Sequence, residues 1–160
     1  MLERFDKITD QLPKFYDLAI SVDCGTKKRL GFELPSDIPL VNFDHHQSND
    51  SYGTINLVDP MKSSTAEIVY DFFKHNGLYL TKYSATALYV GIYDDTLAFS
   101  LGRCDELTFE KINFLVECGA SPSDIANKLL RRDSLAKYRM IPKVLDSLEL
   151  FSEGEIASII

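Results

Sequence analysis

Asp44, His45 and His46 stand side by side in "VNFDHHQSND", residues 41–50, directly after an apolar run. The chain has three histidines, so two of them share one dipeptide. A carboxylate beside two imidazoles is a donor set for a divalent cation. Oxygen-rich sets with one or two nitrogens suit Mn²⁺ or Mg²⁺, while zinc draws more His or Cys. Two other stretches have the same form. "AISVDCG" brings Asp23 to the end of an apolar run, and "ALYVGIYDDT" does the same for Asp94 and Asp95. An aspartate has two oxygens and can bridge two ions. Two ions ~3.5–4 Å apart clamp a phosphoryl group and lower the pKa of a bridging water. Phosphoester hydrolysis needs this, because its charge is spread over several oxygens. Plainer readings exist for each feature: a hydrogen-bonded His pair, a turn cap at Asp23, and helix caps at "DDT" and at Ser64 in "SST". Their shared position after apolar segments is what joins them.

Bringing these groups together requires a scaffold. Residues 16–25 and 38–46 read as buried parallel strands with polar C-terminal ends, and residues 53–59 as a third strand stopped by Pro60. Helices follow. "SSTAEIVYDFFKHNG" has Ser64 as N-cap, Glu67 completing a capping box, an apolar face of Ile68, Val69 and Phe72, and Gly77 as the stop. Thr81 caps a helix to Tyr93. Thr108 caps one through Cys118, ended by Gly119. Ser121-Pro122 opens another, with Asp124 in its box. Ser134 to about Phe151 reads as a long final helix interrupted near Pro142. Strands first, with helices between and after them, predict an α/β domain. In open α/β sheets ligands bind beyond the carboxyl ends of the strands. Asp23, the Asp44–His46 run and the Asp94–Asp95 pair can therefore converge on one edge.

Composition fits one globular domain: 160 residues, 45% hydrophobic and 26% charged. The net charge of -7 argues against a broad duplex-binding face. It leaves room for a short anionic substrate held by a metal and a few cations. "KKR" at 27–29 and "RR" at 131–132 read as solvated surface. No run approaches the ~18 apolar residues of a membrane span, and the first ten residues lack a signal peptide's apolar core. Cys24, Cys104 and Cys118 are odd in number and lack metal-pair spacing, which fits a reduced, cytoplasmic setting.

Taken together, "SVDCG", "VNFDHHQSND", "SSTAEIVYDFF" and "ALYVGIYDDTLAF" resemble, in order and spacing, the DHH phosphoesterase superfamily. The similarity is greatest to its bacterial oligoribonuclease and pAp-phosphatase branch, related to RecJ-like exonucleases. It covers roughly residues 10–160. The resemblance implies a parallel-sheet DHH domain with helices on both faces, over residues 1–133. Residues 134–160 would be a linker helix toward a C-terminal substrate domain. It implies Mn²⁺ or Mg²⁺, two ions in the complete family site. Asp23 matches the bridging carboxylate, His45 a metal ligand and Asp95 the late metal ligand. His46 matches a substrate-facing imidazole. Asp44 is a group that orients the histidines, and His46 and Asp44 are the catalytic candidates. Ser64 and Arg103 are further candidates for substrate contact.

The family's first motif resembles "HxxPDxDAxGS", and residues 1–22 do not match it. The expectation is a chain lacking the first strands and the C-terminal domain, of low or no activity, with self-association through uncovered surface. Two other readings stay open: a non-catalytic binding or regulatory domain on the same fold, and a zinc-binding structural domain using Cys24, His45 and Cys104.

Overall fold

Three short apolar stretches pair in parallel, in the order β1 (Ala19–Val22), β2 (Leu40–Asp44), β3 (Ile55–Val58). The computed structural model describes residues 9–35, 37–101, 103–130 and 134–159. They fall into two units, one through Ser121 and one from Pro122. Register sets Ser21 beside Asn42 and Val22 beside Phe43; Asn42 faces Asn56, and Phe43 faces Leu57. Because strand side chains alternate, one face is apolar and the other polar. On the apolar face the buried Phe43 ring meets Phe72 edge-on, with centroids 5.4 Å apart. On the polar face Ser21, Asn42 and Asp44 are all buried. Buried polar groups require partners, and residues 45–54, the crossover from β2 to β3, supply them. Tyr52 Oη shares a hydrogen bond with Ser21 Oγ at 2.6 Å and lies 3.2 Å from Asn42 Oδ1. Asn56 closes the loop by accepting from Gly53 N and donating to the Ser51 and Gly53 carbonyls. Position 53 must be glycine, because a Cβ there would lie 2.7 Å from the Ile55 carbonyl oxygen.

α1 (Thr65–His75) starts where predicted, with Ser64 Oγ accepting from Glu67 N. Glu67 does not complete the expected box on Ser64. Its carboxylate accepts from the backbone N and hydroxyl of Ser63, from Thr108 Oγ1 and from Lys111 Nζ. α2 (Lys82–Asp95) has a full capping box between Thr81 and Ser84. It runs two residues beyond the predicted end, so Asp94 and Asp95 belong to its last turn. α1 and α2 approach closely at Gly91, where a Cβ would be 2.7 Å from that of Ala66. α3 (Glu106–Glu117) corrects the predicted cap: Asp105, not Thr108, is the N-cap, and its carboxylate accepts from Thr108 N. Asp is the stronger capping residue and stands three residues earlier.

The unit from Pro122 holds α4 (Pro122–Leu130), opened as predicted by its proline, and α5 (Leu135–Asp146). The long final helix is corrected. α5 passes through Pro142 and stops at Ser147; β4 (Glu149–Phe151) and β5 (Ile156–Ser158) then form an antiparallel hairpin. Pro142 removes one helical donor, but "SEG" is the stronger signal. Ser152, Glu153 and Gly154 all take positive φ, which turns the chain between two apolar stretches. The arginines of "RR" lie outside the described residues. Lys27, Lys28 and Arg29 of "KKR" are exposed in a 3-10 turn, Lys27–Leu30. No helix among the described residues is long and apolar enough to cross a membrane.

One buried ion pair ties α1 to α3: Lys111 Nζ is 2.7 Å from Glu67 Oε2 and 3.0 Å from Asp71 Oδ2. Removing one partner of such a pair leaves the other charge buried and uncompensated. Lys111→Ala should lower stability by about 3–5 kcal/mol, read as a shifted denaturant midpoint at unchanged slope. Glu67→Gln with Lys111→Met should recover part of the loss. Equal midpoints for wild type and Lys111→Ala would remove this pair from the stability argument.

Candidate metal centre

β1 ends at Val22, and Asp23 turns out of it in a left-handed conformation, φ 57°. Aspartate tolerates this region better than most residues. Its backbone N still donates to the Phe43 carbonyl at 3.0 Å, which keeps the turn beside β2. The Thr65 hydroxyl, first residue of α1, donates to Asp23 Oδ1 at 2.8 Å and selects one side-chain rotamer.

β2 ends at Asp44, whose side chain has no solvent exposure. Asp44 Oδ1 accepts from His46 Nδ1 at 2.6 Å and from His45 N at 2.9 Å, and Oδ2 from Asn49 Nδ2 at 2.5 Å. Burial pushes this carboxyl up, but the hydrogen bonds from Asn49 and His46 outweigh it and hold Asp44 below its ordinary range. An ionised carboxylate only accepts, so His46 Nδ1 is the donor. The other ring nitrogen, Nε2, is left for a different partner.

His45 is fixed from behind. Its Nδ1 lies 3.3 Å from the Lys62 carbonyl oxygen. A carbonyl only accepts, so Nδ1 carries the proton and Nε2 is the ligand nitrogen, as in many metal-binding histidines. His45 Nε2 lies 3.1 Å from Asp95 Oδ2 and 3.6 Å from Asp23 Oδ1. Asp95 comes from the last turn of α2. Burial pushes its carboxyl up, His45 pulls it back, and Asp23 and Asp94 push it further up, for a net rise.

Ring nitrogens of His45 and His46 and a carboxylate oxygen of Asp23 also lie within 4.8 Å of one another. His46 Nδ1, 3.9 Å from Asp23 Oδ1, is committed to Asp44. His45 Nε2, by contrast, lies near the carboxylates of both Asp23 and Asp95. These are carboxylate and imidazole donors, which fit a hard or borderline divalent cation. No cysteine joins this group among the described residues, which corrects the reading with Cys24 and Cys104 as zinc ligands. Cys24 Sγ is turned to the Thr26 carbonyl at 3.3 Å, and burial pushes the Cys104 thiol up.

A cleft of about 340 Å³ opens in front of the histidines, lined by His45, His46, Gln47, Ser63, Asp95, Thr96, Leu101 and Arg103. Arg103 thus shares a wall with both histidines. Ser64 is buried as the α1 cap and lies outside that cleft lining. Asp94 lines a neighbouring cavity with Asp23 and Asp95. Sequence reasoning missed Thr65 and Asn49 as partners of the candidate residues. A buried carboxylate at a strand end needs donors close by, and "QSN" directly after "DHH" was the available signal.

The profile of the DHH family, N-terminal domain, matches residues 2–92. The chain belongs to the DHH family. Among its relatives is the bifunctional oligoribonuclease and PAP phosphatase NrnA of Bacillus subtilis, 31% identical over 70% of this chain and 37% of the relative. A probable protein of the same name from Streptococcus mutans is 35% identical, over 68% and 35%. The NrnA of Thermus thermophilus is 25% identical, over 95% and 46%. The chain spans less than half the length of these curated relatives. The crystal structure of an exopolyphosphatase-related protein from Bacteroides fragilis superposes with a TM-score of 0.80, at 23% identity, over 89% of this chain and 44% of that one. At that identity the likeness speaks for the fold, and the predicted α/β domain with a parallel sheet is the one observed.

Asp44 generates a stability prediction with a defined sign. Its carboxyl is lowered in the folded protein, so its contribution is present above the unfolded value of ~3.9 and is lost as pH falls through the lower folded value. Asp44→Asn should destabilise by about 2 kcal/mol at pH 7. The gap from wild type should narrow as denaturation is repeated from pH 5 downward. A gap that stays constant to pH 2 would mean that Asp44 is not held ionised by these bonds.

Proposed function

We propose that this chain carries the metal-binding half of a phosphoesterase that hydrolyses short oligonucleotides or 3′-phosphorylated nucleotides. The observation that carries the reading is the division of labour between the two histidines. His45 Nε2 is aimed at Asp23 and Asp95, while His46 is turned by Asp44 to leave Nε2 free. The names of the curated relatives support the substrate class, oligoribonucleotide and PAP.

Asp23, His45 and Asp95 would hold Mn²⁺ or Mg²⁺. Bound there, the cation would supply a water of lowered pKa and a Lewis acid for the phosphoryl oxygens. His46 and Asp44 are the groups assigned to substrate chemistry. With Nδ1–H donated to Asp44, a protonated ring presents Nε2–H to a phosphate oxygen. Arg103 places a second cationic donor on the same cleft wall, suited to a phosphate in its fork geometry. Both groups act where negative charge builds up in the transition state, and preorganised donors are worth most there. Thr65 and the Lys62 carbonyl hold Asp23 and His45 in single orientations.

The test is calorimetric titration of the protein with Mn²⁺, followed by assays for dinucleotide cleavage and for phosphate release from pAp. Binding should weaken more than about 10-fold in Asp23→Ala and in His45→Ala. It should also weaken as pH falls. The ligands must be deprotonated, free imidazole titrates near ~6.5, and burial raises the Asp95 carboxyl from its ordinary value. Equal Mn²⁺ affinity at pH 5.5 and 8 would remove His45 from the ligand set. Metal and nucleotide binding without hydrolysis would favour a non-catalytic binding domain on this fold.

A further inference from the structure

Asn49 belongs neither to the candidate ligands nor to the cleft lining, yet its amide touches both turns that carry the site. Its orientation is fixed by chemistry. Oδ1 accepts from the Ser51 backbone N–H at 2.8 Å and from Asn42 Nδ2 at 3.3 Å. A backbone N–H only donates, so the amide oxygen must face it and the flipped amide is excluded. Nδ2 is therefore directed to Asp44 Oδ2 at 2.5 Å, with the Cys24 carbonyl oxygen at 3.5 Å. Asp44 is the group that orients His46, and Cys24 directly follows Asp23. Neighbouring bonds brace the same junction: Tyr52 Oη donates to the Cys24 carbonyl at 2.9 Å, and Asp50 N to the Gly25 carbonyl at 3.1 Å.

We propose that Asn49 is a positioning residue. Through one amide it fixes the buried Asp44 carboxylate that aims His46, and it ties that carboxylate to the backbone beside Asp23. Asp44 has two oxygens and needs both of them occupied to stay in one rotamer. Without the Asn49 donor, Oδ2 is buried and unpartnered, and the carboxylate can rotate away from His46 Nδ1. The imidazole then samples several orientations. Asp23 keeps its own partner in Thr65, so a cation site built on Asp23, His45 and Asp95 is affected far less.

This inference rests on the phosphoesterase reading for its kinetic arm, but a second readout is independent of activity. Asn49→Asp keeps the shape and the acceptor half of the side chain and replaces the donor with a carboxylate oxygen facing Asp44. Asn49→Ser removes the amide without adding charge and serves if the first variant does not fold. Imidazole ¹⁵N and ¹H resonances of the chain's three histidines give the structural arm. The slowly exchanging Nδ1–H of His46 should be lost in either variant, while that of His45 on the Lys62 carbonyl persists. In the kinetic arm, kcat for dinucleotide cleavage should fall about 10- to 100-fold, with KM and Mn²⁺ affinity within about 2-fold. The exchange variant Asp44→Asn/Asn49→Asp restores a donor–acceptor pair with the roles reversed, and should regain the His46 signal and part of kcat. An unchanged His46 resonance in both Asn49 variants overturns the proposal even where wild type shows no hydrolysis. A kcat loss matched by an equal loss of metal affinity, with no rescue in the exchange variant, also overturns it. Where metal-loaded wild type shows little or no hydrolysis, the histidine resonances alone uphold or overturn the proposal.

Discussion

A carboxylate with no solvent exposure sits at the carboxyl end of the central strand, and most of the site follows from what Asp44 requires. An uncompensated buried charge costs several kcal/mol, so donors must reach both oxygens. His45 N, His46 Nδ1 and Asn49 Nδ2 are those donors. To bring Asn49 back over the strand end, the chain must curl immediately after the histidines. It does so through Ser51 at φ 54° and Gly53, whose missing Cβ lets it lie against Leu40 and Ile55. The curled loop then covers the polar face of the sheet. On that face Ser21 is satisfied by Tyr52, Asn42 by Asn49, and Asn56 by Ser51 and Gly53 of the same loop. One buried charge thus dictates the crossover from β2 to β3 and the polar layer beneath it.

A second buried acid, Glu67, does the corresponding work behind His45. It gathers donors from Ser63, Thr108 and Lys111, which join α1, α3 and the segment just before α1. That segment contains Lys62, whose side chain is held by Asp71 at 3.0 Å and whose carbonyl receives His45 Nδ1. The two histidines are therefore neighbours in sequence with unlike partners: a charged carboxylate for one, a neutral carbonyl for the other. Both partners place the ring proton on Nδ1; the two rings differ in how the carboxylates reach them, with His45 Nε2 beside Asp23 and Asp95 and His46 Nδ1 on Asp44.

The strands, the α1 and α2 starts and the order of acid-bearing turns were legible because they depend on local signals: apolar runs of strand length, Ser64 and Thr81 as caps, and acids at strand ends. Asp23, His45 and Asp95 were named from the family resemblance of their motifs, and His45 Nε2 lies near both acids. Their partners were not, because Thr65 to Asp23, Lys62 to His45 and Lys111 to Glu67 are contacts across 42, 17 and 44 residues. The misassigned α3 cap and the hairpin after α5 are local errors of another kind. At Asp105, two neighbouring capping residues competed. At Phe151, an apolar helical pattern continued into a turn whose only glycine is Gly154, at the far end of "SEG".

The far wall of the site is set by strain. After Asp95 and Thr96, Leu97, Ala98 and Phe99 all take left-handed backbone conformations, φ 48° to 63°. Such residues cost of order 1–3 kcal/mol each, so something must hold them. Phe99 is the clamp: its ring meets Tyr89, Tyr93 and Phe109 with centroids 5.3 to 6.0 Å apart, and its N donates to Thr96 Oγ1. The turn ends α2 with Asp95 facing His45 and carries the chain back to Arg103 on the cleft wall. Electrostatics adds to the tension. Burial raises the Asp95 carboxyl, and the charges of Asp23 and Asp94 raise it further. A fold that gathers like charges and tight backbone at one point is less stable there than it would be with neutral residues and a relaxed turn. A cation at the proposed site would offset the electrostatic part of that cost, because Asp23 and Asp95 would each gain a partner in place of a rival, and α2 ends where Asp95 could contribute to it.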